Sequence, residues 1–140
     1  MTWIHWALLS AFFAGLTAVL AKAGTDKIPA DLATAIRTTV VLVFAWAVAL
    51  LTSRPFEFAS LPRRTWWLLG ASGLATGLSW LCYFRALKLG EASRVAPVDK
   101  LGVVFAILLA ALLLRERLTV QHLIGGLLIT AGAVVIAWKR

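Results

Sequence analysis

Charge is what this chain has least of. Only 14% of its 140 residues are Asp, Glu, Lys or Arg, against about 25% in an ordinary soluble domain. A chain of this length cannot hide 61% apolar residues in its own core, because small domains leave much of their surface exposed. With a mean hydropathy of +0.90, the remainder must face lipid. Cysteine is scarce as well: Cys82 stands alone, so no internal disulfide can form. No HExxH, P-loop or CxxC motif occurs, which removes the usual sequence signs of a zinc hydrolase, a nucleotide-phosphate enzyme or a dithiol redox protein. The residues point to neither an enzyme nor a metal or cofactor site. MTWIHW carries no Lys or Arg, so the first apolar stretch lacks the charged start of a secretory leader and reads as a retained helix, despite the small residues of Ala21-Lys22-Ala23.

The net charge of +8 is parked between apolar runs, as in membrane-flanking segments, rather than in the basic patch expected of a nucleic-acid binder. Five such runs predict an all-α integral membrane protein with helices at about 3–21, 32–51, 66–87, 95–114 and 120–138. Each is close to the roughly 20 residues that cross about 30 Å of hydrocarbon. None alternates as a barrel strand would. Pro29 and Asp31 mark the start of the second run, with Asp31 as N-cap, and Arg54-Pro55 its end. Gly90 follows the third run where a left-handed C-cap belongs, and Thr119 is the expected N-cap of the fifth. Trp3, Trp6, Trp66, Trp67 and Trp138 fall at run ends, where indoles settle among headgroups; Trp46 and Trp80 do not. Small residues at Gly73 and Gly77, at Gly102, Ala106 and Ala110, and at Gly125 and Gly132 form smooth faces suited to close helix packing.

The fourth run poses a difficulty. Between Lys100 and Arg115 only Leu101 to Leu114 are uncharged, spanning about 21 Å, some 9 Å short of a typical bilayer core. Unless the bilayer thins, Asp99 and Lys100 sit below the interface or the helix end is shielded by protein. With five crossings, the ends of the first and third runs share a face with the starts of the second and fourth. Lys22, Arg37, Arg85 and Lys100 are thereby expected to gather around Asp99, with Arg85 as its first partner and Lys100 its second. Intramembrane ionisable groups point to a functional site. Two readings of Asp99 stay open: a first-turn acid with Pro97 at the first helical position, or a member of a substrate or gating network with Pro97 interrupting the helix. Trp80 and Tyr83, just deeper than Arg85, read either as a ligand surface or as ordinary packing. The excess of cations leans toward a carboxylate or other anion as cargo.

The stretch FRALKLGEASRVAPVDKLGVVFAILLAALLLRERLT, residues 84–119, resembles the end of an EamA-type repeat of the drug/metabolite transporter superfamily. The glycine-rich HLIGGLLITAGAVVIAW and the opening WALLSAFFAGLTAVLAKAG are similar to neighbouring parts of that repeat. One departure is Arg115, where the family usually has glycine before Glu-Arg-Leu. The resemblance implies a single five-helix domain over residues 1–140, half of a ten-helix inverted-repeat transporter, with no bound cofactor. It implies a multi-pass protein of the cell (inner or plasma) membrane that carries small organic metabolites or drugs by alternating access and needs a partner, most simply a second copy. Small multidrug resistance relatives use a glutamate in their first helix for proton exchange, and the first run here has none. A lipid-linked-intermediate flippase and a non-transporting subunit of a larger complex are the alternatives. The candidate pathway residues are Trp80, Tyr83, Arg85, Pro97, Asp99 and Lys100, with Lys22 and Arg37 as supporting charges. Five cations on the amino-terminal face (Arg54, Arg63, Arg64, Arg115, Arg117) oppose six on the other (Lys22, Lys27, Lys88, Arg94, Lys139, Arg140). So even a balance leaves insertion unbiased and leads to the expectation of dual topology and an antiparallel homodimer.

Overall fold

A backbone in hydrocarbon must satisfy its polar groups within its own segment, which leaves helices as the local solution for apolar runs of this length. The computed structural model describes residues 2–52 and 61–138; Arg54, Pro55, Lys139 and Arg140 lie outside them. Every regular element among the described residues is a helix: α1 (Trp3–Thr25), α2 (Ala30–Thr52), α3 (Arg63–Leu89), α4 (Ala92–Asp99), α5 (Gly102–Leu113) and α6 (Val120–Ala137). Four stretches are long and apolar enough to cross a membrane: α1, α2, the combined Ala92–Leu113 and α6. The 27-residue α3 is the least apolar of the long helices; its glycines, serines, tryptophans and two arginines at the start dilute its leucines. Threonine hydroxyls are satisfied locally by the carbonyl one turn back, as in Thr38 to Thr34 (2.7 Å), Thr76 to Ser72 (2.9 Å) and Thr130 to Gly126 (2.8 Å).

Among the described residues the buried hydrophobic set is only Ala18, Ala33, Phe84, Leu87 and Ala133, whereas Phe44, Leu127 and Leu112 are at least 70% exposed. Water would not tolerate such a surface; lipid does. The chain divides into two compact units, Ala23–Lys88, and Met1–Lys22 together with Leu89–Arg140.

In the second of these units α4 and α5 both pack on α6. Gly126 is buried there, and a Cβ on it would lie 3.9 Å from Val104 Cγ2. Thr119 caps α6 as expected. The His122 N–H donates to Thr119 Oγ1 (3.3 Å), and the Thr119 N–H returns to His122 Nδ1 (3.4 Å).

Three local expectations change. The fourth run starts at Ala92, after Glu91, rather than at about Val95, because Ala92, Ser93 and Arg94 extend the helix and Arg94 pairs with Glu91 at 3.3 Å. Pro97 thus sits inside α4, not at its first position. Gly90 does not adopt the left-handed conformation; Arg115 does, at φ 56°. Asp31 is the second residue of α2 and not its cap.

Candidate functional site

In the unit Ala23–Lys88, the start of α2 meets the end of α3 through polar side chains. Asp31 lies in the first turn of α2, where a carboxylate complements the helix dipole. Arg85, one turn before the end of α3, places Nη2 3.1 Å from Asp31 Oδ1 and 3.3 Å from Oδ2. Both side chains are about two-thirds exposed, at 63% and 62%. One turn further on, the Lys88 ammonium donates to the Ile28 carbonyl. Arg37 follows Asp31 by six residues, about 9 Å further along α2. Its guanidinium carbon stands 4.1 Å from the centroid of Trp80 and 5.6 Å from that of Phe84. Phe84 is itself buried, and Tyr83 meets its ring edge-on at 6.3 Å between centroids. Stacking on an indole face stabilises a poorly hydrated guanidinium, worth about 2 kcal/mol or more when desolvated.

In the other unit, Asp99 closes α4 and its carboxylate lies 3.7 Å from the Lys100 ammonium. The backbone tightens at this point. The Lys100 N–H reaches both Ala96 and Pro97 carbonyls, Leu101 bonds Val98, Val103 bonds Lys100, and Val104 bonds Leu101. Three-residue spacing is 3₁₀ geometry, and Pro97, lacking an N–H, sits immediately before it. The fourth span is thus one 22-residue stretch broken at Lys100–Leu101. It reaches bilayer length only by taking Asp99 and Lys100 inside it, so the acid is not a first-turn residue of a helix that begins at Pro97.

Within its own unit Arg85, expected as the first partner of Asp99, pairs with Asp31, and within the other unit Lys100, expected as the second, lies beside Asp99. Arg37 stacks on Trp80. Lys22 stands in the last turn of α1. Sequence reasoning missed Asp31 as an ion-pair partner and Phe84 as part of the Arg37 platform. The available signal was topological: the start of α2 and the end of α3 share one end of a helical hairpin.

Among the described residues a Cβ built on Gly73, Gly77, Gly102, Gly125 or Gly132 would meet nothing within 4 Å, and Gly126 is the glycine with a packed neighbour. Ala106 and Ala110 line an open groove of about 300 Å³ with Ile107, Leu118, Glu116 and His122. No group of three His, Cys, Asp or Glu among the described residues is placed to hold a metal ion.

Apolar helices, one of them broken at a charged pair, fit a transport protein, and residues 1–138 match the EamA-like transporter family. The chain belongs to that family. It is 50% identical, over 136 residues covering 97% of this chain and 96% of the relative, to a protein of Sinorhizobium sp named "Uncharacterized transporter in cobO 3'region". It is 34% identical over 68 residues, 49% of this chain and 63% of the relative, to the probable 4-amino-4-deoxy-L-arabinose-phosphoundecaprenol flippase subunit ArnE of Erwinia tasmaniensis. No solved structure matches. This EamA-like protein is a multi-pass membrane protein, and its family and relatives point to a non-enzymatic transporter. At Arg115, where the resemblance leads to an expectation of glycine, the backbone is left-handed and the Glu116 N–H turns back to the Ala110 carbonyl at 3.3 Å.

Proposed function

We propose that this EamA-like protein carries small organic metabolites or drugs across the cell's inner or plasma membrane by alternating access, working as an antiparallel homodimer. The observation that carries this reading is the break at Lys100–Leu101 within an apolar span, with Asp99 and Lys100 beside it. The backbone there stays hydrogen-bonded as it tightens, and ionisable groups within a membrane segment face the bundle interior or a water-filled cavity. The residues assigned to the pathway are Trp80, Tyr83 and Arg85 in one unit, and Pro97, Asp99 and Lys100 in the other. We take α3 as a further crossing, the third in chain order, which brings the count to five; its 27 residues exceed the length required. Five crossings make half of a ten-helix inverted repeat, and a second copy inserted the other way supplies the other half. The open glycine faces of α3, α5 and α6 suit a second chain, since small residues let backbones approach in lipid.

A second reading, a flippase for a lipid-linked intermediate with a partner subunit, is favoured by the likeness to the Erwinia flippase subunit, which extends over about half of this chain. Counterflow uptake into proteoliposomes with this chain as the sole protein tests the proposal, using a panel of labelled carboxylates, organophosphates, amines and sugars. Uptake of at least one panel member is expected. Uptake absent for every compound, with translocation of a fluorescent lipid-linked phosphate retained, supports the second reading and removes the first.

A further inference from the structure

Arg37 is the eighth residue of α2, about 10 Å along an apolar helix. Its guanidinium is half-buried, stacked over Trp80 and close to Phe84, and no carboxylate pairs with it among the described residues. The nearest acid along α2, Asp31, is held by Arg85. This end of the unit therefore carries Arg37, Arg85 and Lys88 against Asp31, two positive charges in excess, with Asp26 and Lys27 cancelling. An aromatic face satisfies the plane of a guanidinium but not its five in-plane N–H donors. Left alone inside a membrane segment such a cation is costly, and its planar fork matches the two oxygens of a carboxylate or phosphate.

We propose that the in-plane edge of the Arg37 guanidinium, its face held by Trp80 and Phe84, is the recognition site for an oxyanion on the transported molecule. The proposal rests on the transporter reading and narrows the cargo to carboxylates and phosphate esters. Trp80 and Phe84 are positioning residues, fixing the plane of the fork. The Asp31–Arg85 pair keeps Asp31 from occupying the site, so that a visiting anion is the group that completes it. The same oxyanion chemistry is offered by a free metabolite and by a phospholipid headgroup.

The test uses full-length protein in phosphatidylcholine nanodiscs and phenylglyoxal modification read by mass spectrometry at Arg37, with exposed Arg63 as the internal control. Benzoate and phenyl phosphate are the anionic probes; benzamide and benzylamine are neutral and cationic counterparts. Either anion is expected to slow modification of Arg37 at least tenfold, leaving Arg63 unchanged, and the counterparts to have no effect. Protection already present in nanodiscs containing phosphatidylglycerol, without added probe, identifies the headgroup as the source; protection that requires the probe identifies a free anion. A second measurement reads the thermal shift caused by the same anions. Arg37→Lys, which retains the charge but not the fork, is expected to weaken apparent affinity about tenfold, and Arg37→Gln to abolish the shift. Equal protection by benzamide or benzylamine, or no protection by either anion, overturns the proposal. Uptake of amines or sugars in the absence of anion protection overturns it while leaving the transporter reading intact. Anion protection without uptake of any compound upholds the site and removes the transporter reading.

Discussion

The Asp31–Arg85 pair offers a quantitative handle on the hairpin of α2 and α3. One guanidinium nitrogen lies 3.1 and 3.3 Å from the two carboxylate oxygens. Unit charges about 4 Å apart interact by about 1 kcal/mol in water and about 4 kcal/mol at an effective dielectric near 20. With both side chains about two-thirds exposed, screening favours the lower figure, and exposed pairs contribute about 0.2–1 kcal/mol. A coupling of about 0.5–1 kcal/mol is therefore expected from a double-mutant cycle of Asp31→Asn and Arg85→Gln, measured by reversible SDS unfolding in mixed micelles and followed by circular dichroism. Asp31→Asn also loses its interaction with the α2 dipole, about 0.3–1 kcal/mol, but that loss appears with and without Arg85 and drops out of the cycle. The coupling shrinks at high salt, since the pair is exposed. Additivity within about 0.3 kcal/mol refutes the pairing. So does a larger coupling between Asp99 and Arg85 in the parallel cycle with Asp99→Asn.

Two further perturbations follow from backbone geometry. At φ 56° Arg115 occupies a conformation that costs a side-chain-bearing residue about 1–2 kcal/mol, while glycine adds about 0.5–1 kcal/mol of chain entropy to lose. Arg115→Gly is thus expected to stabilise the protein by about 0.5 kcal/mol, and Arg115→Val to destabilise it by more than about 1 kcal/mol; the reverse order in a melting experiment contradicts the left-handed turn. At Gly126 a Cβ meets only Val104 at van der Waals distance. Gly126→Ala should gain about 0.5–1 kcal/mol of helix propensity, while Gly126→Leu overpacks the seam with α5 and costs about 1–3 kcal/mol. Loss of stability on Gly126→Ala contradicts the 3.9 Å clearance to Val104.

The helices were legible because a run of about twenty apolar residues has few alternatives in lipid, and Thr119 was legible because a cap is a local signal. Other features depended on what lies far along the chain. Asp31 and Arg85 are separated by 54 residues, and nothing near Asp31 distinguishes an ion-pair partner from a cap. Pro97 announced a disturbance in the fourth run, but a proline fits the first turn of a helix as well as a membrane-helix interior, so the sequence left both readings open and did not locate the start at Ala92. Glycine identity predicted the left-handed residue at Gly90, but the tight turn falls after α5, on an arginine, where the chain must reverse toward α6. The small-residue stripes told which faces are smooth and not which helix covers them, so Gly126 was passed over in favour of Gly125 and Gly132.

The central claim is that one sequence, inserted both ways, supplies both halves of the transporter. Labelling of single cysteines at Ser60 and Glu91 by a membrane-impermeant maleimide in intact cells, in a Cys82→Ser background, tests it most directly. In the proposed five-span topology Ser60 follows the second crossing and Glu91 the third, which assigns the two to opposite faces of any one copy. Dual insertion predicts that each site labels from outside to about half of its total; full labelling of one site with none of the other contradicts it.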